Sequence, residues 1–107
     1  MKILLDENLP HALPSLLTPR HDVSTVSYMG WSTLENGSRL SQAASNGFDA
    51  LGTKDQGLAP EQNLANLPLA VAVLRARTNK IDEIRPPVSK LLWAFDSLTP
   101  RSVTTVG

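Results

Sequence analysis

A short apolar run that stops at two carboxylates constrains the whole chain. Ile3-Leu4-Leu5 shows no polar–apolar alternation, the pattern of a strand buried on both faces of a sheet. Asp6 and Glu7 follow at once, then Asn8 and Pro10, residue types that open helices. A strand that ends at an acid and turns into a helix delivers that acid to the carboxyl end of the sheet, where open α/β folds hold their ligands. On spacing alone, Asp6 reads equally well as a chemical group or as an acid facing the positive end of the following helix.

Downstream the pattern continues. Leu9, Leu13, Leu16 and Leu17 recur at helical spacing and predict a helix from about Leu9 to Leu17, with Pro10 in its first turn and Pro14 kinking or shortening it. His21 to Val26 reads as a second strand, and Tyr28 to Thr33 as a loop. Asn36-Gly37 precedes a helix carrying Leu40, Ala43 and Ala44, and Asn46-Gly47 closes it. Phe48 to Thr53 predicts a third strand running to Asp55, and Ala59 to Leu67 a long loop or a single helical turn. Leu69 to Leu74 is the clearest buried strand, ending at Arg75 and Arg77. A stripe broken at Pro86-Pro87 predicts a separate turn over Ile81 to Arg85 and a helix from about Pro87 to Ser97. Ser102 to Val106 alternates weakly and makes a last strand at an edge.

Strands alternating with helices predict an α/β fold, a single α/β/α domain over 1–107 with a mostly parallel central sheet of about five strands. A chain of 107 residues suits one such domain, and no repeat or linker divides it. Ten acidic and ten basic residues cancel, which argues against a protein that coats nucleic acid but leaves room for a small basic groove. Cysteine is absent, so disulfides and thiolate metal sites are excluded. Only three apolar residues separate Lys2 from Asp6, and no run has the length of a membrane span, so a cytoplasmic location without membrane attachment is expected.

In a parallel sheet Asp6, Asp55 and Arg75 emerge on one edge. Two carboxylates converging there are a way to hold Mg²⁺ or Mn²⁺, and Lys54 or Arg75 would then contact phosphate oxygens. The competing reading has both acids capping helices and pairing with nearby cations. Glu35 is a candidate third carboxylate, although an acid near a helix start more often serves the helix dipole. His11 stands close to Asp6 and Glu7 in sequence and is a candidate for proton transfer, against the commoner role of a surface histidine bonded to a neighbour. Trp31 and Tyr28 are candidates for base stacking, against the commoner role of packing over a core edge. Gln62-Asn63 would bond a ligand or satisfy loop backbone. Phosphate-binding glycine loops, nucleophile elbows and zinc-spaced histidines are absent.

Ile3 to Pro10, His21-Asp22-Val23, Phe48 to Leu51 with Thr53-Lys54-Asp55, Gln62-Asn63-Leu64, Leu67-Pro68-Leu69 and Val73 to Ala76 together resemble the small bacterial PIN-like proteins. The resemblance covers nearly the whole chain in order, and implies a PIN-like fold and a Mg²⁺- or Mn²⁺-dependent ribonuclease. Such a protein is often the toxin of a toxin–antitoxin pair whose partner is a small DNA-binding antitoxin. Asp6 and Asp55 match the metal-holding acids of that pattern. Ser38 and Gly57 stand where further acids occur, leaving Glu7 and Glu35 as substitutes. With two matched acids the resemblance implies weak metal binding, and a catalytically inactive PIN-like protein-binding module is the alternative. A receiver-like phosphoacceptor fits the motifs less well. A homodimer through the Leu91-Leu92-Trp93-Phe95 helix or an exposed strand edge is a further expectation, against the commoner role of such an apolar cluster as core.

Overall fold

The structure, a computed structural model, describes residues 1–9, 12–18, 20–55, 68–75, 90–96 and 102–106. Among these, five strands form one sheet: β1 (Lys2–Leu5), β2 (Asp22–Thr25), β3 (Ala50–Thr53), β4 (Ala70–Leu74) and β5 (Val103–Val106). Their spatial order is β2-β1-β3-β4-β5, and every neighbouring pair is parallel, with Ile3 opposite Val23 and Ala50, and Ala50 opposite Ala70. The expected α/β class with a parallel sheet is therefore what the chain adopts. From β1 the chain winds outward to β2, then returns across β1 to β3 and continues the other way. The topological switch point lies between β1 and β3.

Alternation along each strand divides the core into two layers. Ile3, Leu5, Ala70, Ala72 and Leu74 pack on one face with Leu13, Leu17, Leu91 and Phe95. Leu4, Leu51, Val71 and Val73 pack on the other with Val26, Leu40, Ala43 and Phe48. Helix α1 (Leu13–Leu17) and the helical residues 90–95 thus cover one face, and α2 (Asn36–Ser45) covers the other. Parallel strands buried on both sides need such cover, and this explains their unbroken apolar runs.

The first helix is shorter than its leucine spacing predicts. It begins at Leu13, because Leu9 is taken up by a turn in which its N–H donates to Asp6 O at 3.2 Å. Pro14 falls in the opening turn of α1, where a missing N–H breaks no helical hydrogen bond, so it marks a start and makes no kink. Helix α2 ends as expected. Gly47 has φ +82°, Phe48 N–H donates to Ala43 O at 3.0 Å and Gly47 N–H to Ala44 O at 3.1 Å, the paired bonds of a Schellman stop.

Trp31 is half-buried and meets Phe48 edge-to-face with centroids 6.0 Å apart, so it packs at the core edge. Tyr28 is exposed. Among the described residues no helix is long and apolar enough to cross a membrane. The turn expected over Ile81 to Arg85, the loop from Ala59 to Leu67 and the flanks of the helix expected from Pro87 to Ser97 lie outside the described residues.

Candidate functional site at the carboxyl edge of the sheet

Asp6 is the residue that leaves β1, and its N–H extends the ladder by donating to Gly52 O at 2.8 Å. Its side chain is 7% exposed, which makes the fate of its charge decisive. Glu7 N–H donates to Oδ1 at 2.8 Å. Oδ2 accepts the Thr53 hydroxyl at 2.9 Å, across the switch point, and the Arg39 guanidinium Nη1 at 3.2 Å. Both carboxylate oxygens are thus engaged, and a buried cation balances the charge.

Arg39 lies in the first half of α2 and is 8% exposed. Its Nη2 donates to Ser32 O at 3.2 Å and Leu34 O at 3.1 Å, so one guanidinium ties the segment before α2 to the acid at the end of β1. Its Nε is buried without a partner among the described residues. The planar fork of arginine suits this double task better than a lysine ammonium would.

The network continues on both sides. The Thr53 Oγ1 also accepts Asp55 N–H at 3.0 Å, and Lys54 N–H donates to Asn8 Oδ1 at 3.1 Å, so the segments following β1 and β3 are tied together. Glu7 is exposed, and its Oε2 accepts the hydroxyls of Ser27 at 2.9 Å and Ser32 at 3.2 Å. Asp6, Glu7, Thr53, Lys54 and Asp55 therefore meet at one edge, as parallel topology requires. Arg75 leaves β4 on that edge, two strands from β1 or roughly 10 Å away at ordinary strand spacing, and is exposed with its N–H donating to Val106 O. Glu35 is elsewhere in role: it is the exposed N-cap position of α2, without a side-chain capping bond, and its carbonyl accepts Arg39 N–H at 2.8 Å. His11, Gly57 and Gln62-Asn63 lie outside the described residues.

The residues present fit a divalent ion poorly. Mg²⁺ and Mn²⁺ need several oxygen ligands with free lone pairs, whereas the Asp6 carboxylate already accepts three donors, one of them cationic. Among the described residues no group of three or more His, Cys, Asp or Glu is placed to hold a metal. Arg39 supplies at Asp6 the positive charge that a metal would bring.

Sequence reasoning placed Asp6, Glu7, Lys54 and Asp55 at this edge but missed Arg39, Ser27 and Ser32. One signal pointed to Arg39: it stands four residues before Ala43, on the inward stripe of α2, where a charge requires a buried partner. No family model matches the chain, and no curated protein or solved structure matches it.

Proposed function

We propose that this chain is a PIN-like binding domain that engages a protein partner through the carboxyl edge of its sheet, without metal-assisted cleavage of RNA. The observation that carries the reading is the buried Arg39 guanidinium on Asp6. An acid held this way serves structure: its charge is balanced, and its lone pairs point at fixed donors. The partner class, a small DNA-binding antitoxin-type protein, and a cytoplasmic location follow from the sequence resemblance and composition. A second copy of this chain is the competing partner, and light scattering on the purified protein separates the two.

Calorimetric titration of the full chain with Mn²⁺ tests the reading. The expected result is no binding at millimolar metal. A measured affinity that disappears in Asp55→Ala would overturn it.

One observation favours a second reading, a Mg²⁺- or Mn²⁺-dependent ribonuclease toxin. The Thr53 hydroxyl joins Asp6 to the Asp55 N–H, which draws two sequence-distant acids to one edge with Lys54 between Thr53 and Asp55. That reading requires RNA degradation by the purified protein that chelator stops and Asp6→Asn abolishes.

A further inference from the structure

The carboxyl ends of β1 and β2 enclose a cavity of about 260 Å³ beside the Asp6 network. Leu5, Leu9 and Pro14 form its apolar wall, and Asp6, Glu7, Thr25 and Ser27 contribute the polar side. The volume falls just below the usual range of small-molecule pockets, about 300–1,000 Å³, and suits one slender group better than a nucleotide.

Among the described residues its charge is not balanced. Arg39 neutralises Asp6, but among the described residues no cation is paired with Glu7. Glu7 is also held in place, because Ser27 and Ser32 both donate to its Oε2, while Oε1 makes no hydrogen bond among the described residues. The site therefore offers a fixed anionic acceptor at the end of an apolar wall.

The geometry points to an alkylammonium-binding site, in which a short methylene chain lies against Leu5, Leu9 and Pro14 and its ammonium group meets Glu7. Such a group has the amphipathic build the cavity demands, an apolar stem with a charged tip. A guanidinium suits it less. Its preferred two-bond pairing needs both carboxylate oxygens, and here one is already taken by two hydroxyls. A compact ammonium needs only the remaining oxygen. The ligand is either a free alkylamine or a lysine side chain presented by a partner, and the second source rests on the binding-domain reading above.

The test is a titration of the isotope-labelled full chain followed by amide NMR. The probes are n-butylammonium, n-pentanol as a neutral counterpart, Nα-acetyl-lysine methylamide and the matching arginine derivative. Saturable shifts at Glu7, Thr25 and Ser27 with n-butylammonium, weakened roughly tenfold in Glu7→Gln, are expected, because a charge-assisted hydrogen bond is lost. The glutamine variant's own spectrum reports whether it is folded. Pentanol, compared on the unaltered protein, keeps the test valid if it is not.

Binding of the lysine derivative as well assigns the site to a partner's lysine; binding of butylammonium alone assigns it to a free amine. Absence of saturation, equal binding of pentanol or of the arginine derivative, or an unchanged Glu7→Gln would each overturn the site. Mn²⁺ is added to a separate sample. Selective broadening at Asp6 and Thr53 there would sink the metal-independent reading while leaving the amine result to stand or fall by itself.

Discussion

Arg39 Nη1 lies 3.2 Å from Asp6 Oδ2, joining residues 33 apart in sequence as a buried ion pair. A buried pair is costly to break from one side, since the surviving charge is left without compensation. Asp6→Asn should therefore destabilise the fold by about 3–5 kcal/mol. Asp6→Asn combined with Arg39→Met should cost clearly less than the two single changes summed, because no uncompensated charge remains. Urea unfolding of the four proteins measures this. Strict additivity would mean the pair is not a coupled unit.

Thr53 is fully buried, and its hydroxyl both donates to Asp6 and accepts from the Asp55 amide. Thr53→Val keeps the shape and removes both bonds, so a loss of about 1–3 kcal/mol is expected. Hydrogen exchange at the Asp55 amide should accelerate beyond the global change. An exchange rate that follows global stability alone would show that the hydroxyl does not hold that amide.

Gly52 is required by close approach. A Cβ there would stand 2.9 Å from Leu5 Cδ2 and 3.0 Å from Phe95 Cζ. Gly52→Ala should cost about 1–3 kcal/mol from overpacking. Phe95→Leu, harmful alone, should be less harmful in the alanine background, since the shorter side chain makes room. If the two costs simply add, the ring is not what fills the space above Gly52.

Gly47 is required by conformation. Its φ of +82° closes α2, and an added Cβ would meet nothing nearer than Lys2 Nζ at 3.9 Å. Gly47→Ala should lower stability by about 1–2 kcal/mol through backbone strain, and Gly47→Asn by less. Thermal unfolding ranks the two, and an alanine variant at least as stable as the asparagine one would contradict the assignment.

The sequence displays its strands clearly because burial on both faces leaves uninterrupted apolar runs, and β1, β3 and β4 are buried along almost their whole length. Edge strands β2 and β5 are half-exposed and show only weak patterns. The Asp6 position was legible for the same reason: an apolar run that stops at an acid fixes the strand end. The partner of Asp6 was not. Arginine on a helix is ordinarily a surface residue; its place on the inward stripe of α2 signals that Arg39 needs a buried partner, but that the partner is Asp6 follows only from the packing of α2 on the sheet, a tertiary relation. The leucine spacing misled in the opposite way, because it extends into a turn and hides where the helix begins, whereas the expectation that Pro14 shortens the helix agrees with a start at Leu13.

The strand order has a consequence for how the molecule is made. Strand β1 lies inside the sheet: one side pairs with the nearby β2, but its other neighbour is encoded far downstream, and that side of Ile3 is paired only when Ala50 arrives. Loops of that length close slowly, and distant pairings of this kind delay folding. Until then Ile3-Leu4-Leu5 has an open edge, the sort of segment on which nascent chains aggregate. Asp6 meets Thr53 only when β3 docks, so the acid that marks the site gains its full set of partners late in folding.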